Sequence, residues 1–411
     1  MILSRVVDEL MLILPISKAS CHLRPIDSAR FLTLFCFIIG AKENIITEKT
    51  GNLKLSMNKN DHFSIEHVLR HYSLGKLLCC EQNLRGYCNT SFAIQTLDGD
   101  TPTWHFLRRY KATIGEAEIL FEHSLIQHLA QFPDLPVAKL QVTRDGKTYL
   151  IEPCQNCTSS PTFFAIFDYL SGEDRYTWIN PHCSEAELRN AAALLARYHQ
   201  AVWNFQPQGK REEPDIRGLL PLISANLVAC LEQPLAAEFQ NPIREHLAFL
   251  QDKIAQLQQA FSSPQAAQLP RLIVHHDYHP GNLRFAGDEI VGLFDFDWAK
   301  PDWRVLDVAL ALFYFTTEWQ GEADGRLRLK EVETFLAAYQ QTMQIQADGH
   351  PLSEVEQEML WQFIEAANLY VLNWTVLDIL NKAVDVAEYA GYLWHGLRTA
   401  IWLDLNHPMK V

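Results

Sequence analysis

The sequence is short of positive charge, of long apolar runs and of paired cysteine motifs, and each shortage removes a class of protein. Lysine and arginine number 35 against 49 aspartates and glutamates, a formal net charge of -14. Nucleic-acid binding needs a positive field against the phosphates, so no nucleic-acid partner is expected, whereas a cationic substrate is compatible. The apolar run at residues 31–41 (FLTLFCFIIGA) has eleven residues, and a spanning helix needs about 20. Asp8 and Glu9 interrupt the apolar start MILSRVVDELMLILPIS, which a signal peptide would keep uncharged. No membrane partner is expected. The nine cysteines form no framework. Cys154 and Cys157 make one C-x-x-C, but a zinc ribbon needs a second pair. A redox motif would open a helix, and Gln155-Asn156 with the Thr-Ser-Ser-Pro beyond Cys157 reads as loop. Free thiols in a reducing, cytoplasmic setting are the expectation.

What is present is ordinary for a folded protein: 48% hydrophobic and 20% charged residues, with no internal repeat or low-complexity tract. A chain of 411 residues is long enough for two lobes. Residues 1–56 differ in character from the remainder. They read as an N-terminal extension, either membrane-associating, or a small packing element, or sequence upstream of a true start at Met57. The last is favoured, because Met57-Asn58-Lys59-Asn60-Asp61 reads as a polar N-terminus.

Strand signals dominate residues 61–167. Residues 64–72 have helical spacing with Ser64 as N-cap. Residues 92–96 and 104–110 flank an Asp98-Gly99-Asp100 turn as a hairpin, preceded by a small polar turn at Leu84-Arg85-Gly86-Tyr87-Cys88-Asn89-Thr90-Ser91. That turn is no G-x-G-x-x-G, yet its backbone N–H groups could face phosphates. Residues 116–131 predict a helix with Ile119, Leu120, Leu125, Ile126 and Leu129 on one face and Glu122 at its edge. Residues 137–142 and 147–151 predict two strands around Asp145-Gly146, and residues 163–170 a fifth. Helices take over in residues 168–405. Ser184 and Glu187 form a capping box, and further helices are expected at 238–261, 329–343 and 353–374. Short strands are expected at 271–274 and 290–294. The fold class is α+β and bilobal: a small antiparallel sheet with one inserted helix, then a larger, mostly helical lobe.

The densest chemistry lies between the two short strands. Asp277 and Asn282 are five residues apart, Pro280-Gly281 turns the chain back between them, and Asp295 follows at the end of the second strand. A carboxylate beside a hydroxyl, with an amide oxygen and a second carboxylate for a magnesium ion, is the donor set of phosphoryl transfer. His275, His276 and His279 also allow a transition-metal site of hydrolase type, and all these groups allow a loop merely stabilised by polar side chains.

The ordered set His275-x-Asp277-x-x-x-x-Asn282, Phe294-Asp295-Phe296 and Leu306-Asp307-Val308-Ala309 resembles the aminoglycoside phosphotransferase, choline kinase and homoserine kinase group, from about Ile65 to about Leu405. Asn89-Thr90-Ser91-Phe92, Phe106-Leu107-Arg108-Arg109-Tyr110 and Phe121-Glu122 look closest to the bacterial homoserine kinase-like branch. The resemblance implies a protein-kinase-like fold, ATP and Mg2+, and a small-molecule hydroxyl substrate. It implies that Asp277 is the catalytic base, that Asn282 and Asp295 hold Mg2+, and that His275 braces the loop with Asp307 supporting its backbone. Glu122 would pair with the phosphate-binding cation, Gly86, Asn89 and Thr90 would lie over the nucleotide, and Asp168 and Leu170 would belong to the adenine hinge.

Three positions depart from the family pattern. Arginine replaces the usual lysine: the strand offers Arg108 and Arg109, alternation puts Arg108 with Phe106 on one face, and the resemblance favours Arg108, with Lys111 as a less favoured stand-in. His276 stands where many members carry glycine. Asp297 adds a second acid after Asp295, which could add a metal contact or face solvent; the solvent-facing reading is favoured. The position two after Asp277 is His279, where protein kinases usually carry lysine, which favours a metabolite over a protein hydroxyl. A kinase of protein serine or threonine and a nucleotide-binding pseudokinase are the alternatives. Glu365, Tyr370, Trp374 and Asp378 are candidates to hold a substrate ammonium, with plain core packing as the other reading of Tyr370 and Trp374, and Asp302-Trp303-Arg304 is expected near the substrate mouth.

Overall fold

The computed structural model describes residues 64–83, 89–152, 161–346 and 348–407. The N-terminal extension, the start at Met57, Gly86 and the Cys154/Cys157 pair all lie outside the described residues.

A short helix α1 (Ile65–Leu69) precedes strands β1 (Lys76–Asn83), β2 (Thr90–Asp98) and β3 (Thr101–Arg109). Helix α2 (Glu116–Leu129) then leads to β4 (Leu150–Glu152) and β5 (Thr162–Asp168). The five strands form one antiparallel sheet in the order β1-β2-β3-β5-β4. Alternation along the strands sorts its two faces. Phe92, Ile94, Leu107, Phe164 and Ile166 pack with Ile65, Val68 and Leu69 of α1. Phe163, Ala165 and Phe167 face the other way, into the core that holds Ile119, Leu125, Ile126 and Leu129 of α2. Arg108, neighbour to Leu107, therefore falls on the α2 side, as strand alternation predicts.

Five strands are present, but not the five expected. Residues 137–142 make no strand of their own. Leu140 bridges Phe167, with Gln141 N–H donating to Ile166 and Asp168 N–H to Lys139, both at 2.8 Å. That segment and β4 lie along the same edge of β5, so Asp145-Gly146 turns the chain without making a hairpin. The fifth strand is β1, whose sequence KLLCCEQN alternates poorly, carries a register shift between Leu77 and Cys79, and sits at the sheet edge.

After the sheet come α3 (Glu185–Ala201), α4 (Ile216–Glu232), α5 (Ala237–Phe261), β6 (Arg271–Val274), β7 (Leu283–Ala286), β8 (Glu289–Leu293), β9 (Lys300–Trp303), α6 (Arg304–Thr316), α7 (Leu329–Ile345), α8 (Glu354–Asn381) and α9 (Val386–Leu405). Helix α3 starts at the predicted capping box: Ser184 Oγ accepts from Glu187 N–H (3.1 Å) and Glu187 accepts from Ser184 N–H (2.6 Å). Helices α4, α6 and α9 were not expected. Gly218 and Pro221 mask α4 as a broken segment. Every residue of α6 is buried, so it shows no polar face to set its period. Helix α8 is long and apolar enough to cross a membrane by length and composition, but its apolar stretch is 83% buried inside the fold.

Asp302-Trp303-Arg304 is interior, not a substrate mouth. Asp302 accepts from Ile216 N–H (2.8 Å), and Arg304, 1% exposed, pairs with fully buried Glu356. An isolated buried charge costs far more than the net value of its pair. Arg304→Met is therefore expected to lower unfolding stability by about 3 kcal/mol in urea titrations, with turnover per folded molecule retained. A loss too small to measure would contradict this assignment.

Candidate active site

The loop of residues 275–282 is anchored at both ends. It leaves β6, which pairs with β9, and enters β7, which pairs with β8. Asp307, in the first turn of α6, accepts from the backbone N–H groups of His275 and His276, both at 2.8 Å. His199 Nε2 lies 3.0 Å from Asp307 and its Nδ1 2.8 Å from the Tyr339 hydroxyl. His276 has φ of +66°, the left-handed region where glycine is unstrained. The two bonds to Asp307 hold this non-glycine residue there.

The far half of the loop folds back as a 3-10 turn over Pro280–Asn282. The Asn282 amide nitrogen donates to the Asp277 carbonyl and to Asp277 Oδ2, both at 2.9 Å. His279 Nδ1 accepts from Gly281 N–H (3.0 Å), so its proton sits on Nε2, 3.5 Å from Asp277 Oδ2. The Tyr314 hydroxyl also faces Asp277. Burial pushes the Asp277 carboxyl up, but His279, His275 and the Asn282 hydrogen bond outweigh it and hold the group down at about 2. His275 Nε2 donates to the Phe294 carbonyl (3.2 Å), and Phe294 N–H donates to the Asn282 carbonyl (3.2 Å). These two bonds tie the loop to the segment carrying Asp295.

A second cluster gathers around Arg108. It donates to Glu122 Oε1 of α2 at 3.0 Å, to Asp297 Oδ1 at 2.5 Å and to Asp295 Oδ1 at 3.4 Å. Tyr110 donates to the other Glu122 oxygen (3.1 Å). The Asn89 side-chain nitrogen donates to Asp297, while its Oδ1 accepts from Lys111 N–H (3.0 Å). Lys111 itself is exposed, with its ammonium over the Trp298 ring, so Arg108 is the cation at Glu122. The solvent-facing expectation for Asp297 is overturned: the guanidinium draws it inward. Thr90 opens β2, opposite Arg109. Burial, then repulsion from Asp297, pushes the carboxyls of Glu122 and Asp295 up to about 7 against the pull of Arg108. Burial opposes the charge on Arg108 too, but Asp297, Glu122 and Asp295 keep it protonated.

The donor set fits a hard divalent cation. Both bonds from Asn282 to Asp277 use its amide nitrogen, which leaves the amide oxygen as a ligand atom. Asp295, at φ of +67°, carries a carboxylate that the single guanidinium does not neutralise. Oxygen donors with an acidic excess are magnesium chemistry. The histidines do not form a rival site: His275 is bound to Phe294 and His279 faces Asp277. His276, fully buried, packs edge-on against Tyr370 at 4.4 Å between centroids. At the end of β5, where the hinge was expected, Asp168 N–H donates to the Lys139 carbonyl and its side chain accepts from Gln141. Leu170 follows it, ahead of Gly172, where an added Cβ would lie 2.6 Å from Val291.

Two substrate-side expectations fail. Glu365 is in a buried ion pair with Lys253 (3.0 Å), and Asp378 binds the Tyr389 hydroxyl (2.8 Å) and Lys382. Charges on a long buried helix are neutralised by their neighbours, and sequence spacing does not reveal those neighbours. Trp374 meets the Lys382 ammonium at 5.5 Å. Tyr370 does belong near the loop, against His276 and under Lys300. Tyr314 was missed; it lies in the uniformly buried second half of α6, beyond the Asp307 motif, with no pattern to mark it.

The phosphotransferase enzyme family model matches residues 80–352. A homoserine kinase of Afipia carboxidovorans is 30% identical over 352 residues, covering 84% of this chain and 95% of that enzyme. A homoserine kinase of Rhodopseudomonas palustris is 26% identical, covering 78% and 88%. Among solved structures, a microcompartment-associated aminopropanol kinase superposes with a TM-score of 0.59 at 16% identity, over 82% of this chain and 95% of that one. An amicoumacin kinase in complex with AMP-PNP, Ca2+ and Ami superposes with a TM-score of 0.59 at 17% identity, over 84% and 94%. With a sheet lobe joined to a helical lobe, and the family model spanning most of the chain, this protein belongs to the phosphotransferase enzyme family and is a kinase of that family.

Proposed function

We propose that this kinase transfers the γ-phosphate of ATP, with Mg2+, to the hydroxyl of homoserine or a similar short amino alcohol. The observation that carries the reading is Asp277, an ionised carboxylate fixed by His279 and Asn282 on the loop that is tied to Asp295. In this reading Asp277 orients the acceptor hydroxyl and takes its proton. Asn282, through its amide oxygen, and Asp295 hold Mg2+, which when bound neutralises charge on the phosphates. His275 braces the loop, and Arg108, positioned by Glu122, binds phosphate through its planar fork. Asn89, Thr90 and Gly86 belong to the turn over the nucleotide. Asp168 would meet adenine through its carbonyl, since its N–H is already paired, and Leu170 through its N–H.

The acceptor class rests on the homoserine kinase relatives and on the chemistry beside Asp277. The Tyr314 hydroxyl faces the Asp277 carboxylate, His279 stacks edge-on with Tyr314 at 5.2 Å, and Glu213, beside Tyr370, is already paired with Lys300. Aromatic faces with a carboxylate attract an ammonium group.

ADP release is the test, with the protein, Mg2+ and ATP set against homoserine, aminopropanol, ethanolamine, choline and an aminosugar. Homoserine or one short amino alcohol is expected to stimulate turnover most, and Asp277→Ala to abolish the stimulation. Preference for the aminosugar would overturn the substrate class. Stimulation by no acceptor would overturn the metabolite-kinase reading.

A further inference from the structure

A second set of metal-ligand atoms converges at the start of the sheet lobe, and none of its residues joins the clusters around Asp277 or Arg108. His67 lies on α1, and His71 follows four residues later in the turn that ends that helix, so both rings project from one side. Their centroids are 5.5 Å apart, edge to face. Glu152 ends β4, the edge strand of the sheet. Its Oε1 lies 3.0 Å from His67 Nε2 and 3.9 Å from His71 Nε2, and one atom from each residue falls within 4.8 Å of the other two. We infer that His67, His71 and Glu152 bind a transition-metal ion, with zinc the best fit, and that the ion clasps α1 to the sheet edge.

The distances suit such an ion. Zinc holds imidazole nitrogen and carboxylate oxygen at about 2.0–2.2 Å with near-tetrahedral angles, which puts neighbouring ligand atoms about 3.4 Å apart. The two Nε2–Oε1 separations bracket that value, so small side-chain rotations complete the geometry. Two imidazoles with one carboxylate favour zinc over magnesium, which prefers oxygen donors. The side chains are open to solvent, at 47%, 44% and 27% exposure, so the ion can enter directly and a fourth position stays open. Arg70, Arg144 and Lys147 line the adjoining cavity with His71, and Asp145 partly offsets them. Their charge weakens binding, and the imidazole–metal bonds must supply the affinity.

A clasp has physical use here. Helix α1 has five residues, far below the length at which a helix holds itself, and it covers one face of the sheet through Ile65, Val68 and Leu69. An exposed histidine–carboxylate pair without metal contributes little, whereas a bound ion links helix and strand through three coordinate bonds.

The test uses the full chain in two forms, unaltered and with Cys154→Ser and Cys157→Ser, so that the C-x-x-C thiols contribute nothing. Zinc alone is added, its content is measured after dialysis against a weak chelator, and Tm is read with and without it. One zinc per chain and a raised Tm are expected in both forms. His67→Gln with His71→Gln should abolish both effects, and Glu152→Gln should weaken binding measurably by replacing an anionic ligand with a neutral one. Kinase turnover of these variants without zinc, equal to the unaltered protein, shows that they fold. No stoichiometric zinc, equal uptake in the double histidine variant, or uptake lost with the cysteines would each overturn the site.

Discussion

Asp277→Asn is expected to lower kcat by about a thousandfold while the affinity for nucleotide changes little. The substitution is nearly isosteric, and its amide oxygen still accepts from the Asn282 nitrogen, which meets Asp277 at both the side chain and the carbonyl. The loop keeps its other anchors, because Asp307 holds His275 and His276 through backbone N–H groups. What is lost is the negative charge facing the acceptor hydroxyl. In the unaltered protein that charge is secure, since His279 and Asn282 keep the Asp277 carboxyl at about 2. Asp277 thus stays ionised from about pH 4 upward, and any acid limb in the rate profile above that must come from another group. Single-turnover kinetics and nucleotide titration separate the two quantities. A kcat within tenfold of the unaltered enzyme would remove Asp277 from the role of base.

The loop of residues 275–282 was legible because its residues are dense, polar and ordered along a short stretch. Asp277, Asn282 and Asp295 lie within nineteen positions, and a proline-glycine turn can close only a few ways. The Asp307 anchor followed from the family resemblance, not from spacing. The sheet was legible in number but not in membership. β1 has little alternation to read because it lies at an edge with much of its surface exposed. Residues 137–142 carry a strand-like apolar pattern, but they meet β5 at a single bridge. Helix α6 was hidden for the opposite reason, since complete burial removes the period that marks a helix. Pairings across long sequence distances were the least visible. Asp297 looked like a surface acid until Arg108, 189 residues earlier, was seen beside it. Glu365 and Asp378 looked like ligands for a cation until Lys253, Lys382 and Tyr389 were found to satisfy them.

Arg108→Met should damage both stability and catalysis, and a second substitution should separate the two. Arg108 is the guanidinium among Glu122, Asp295 and Asp297. Removing it leaves buried Glu122 facing two other acids, and breaking a buried pair from one side costs about 3–5 kcal/mol. Glu122→Leu added to Arg108→Met removes the stranded acid as well, and replacing both partners of a buried pair by apolar groups is often close to neutral. Tyr110 loses Glu122 in that double variant but keeps His123, whose Nε2 lies 2.9 Å from its hydroxyl. Urea unfolding is therefore expected to show a large loss in the single variant and recovery of most of it in the double. Catalysis should not recover. A preorganised charge aimed at the transferring phosphoryl group is worth about a hundredfold or more, and the double variant still lacks it, so kcat/KM for ATP should stay low in both. If the double variant regained activity along with stability, Arg108 would be a structural cation and the phosphates would need another partner.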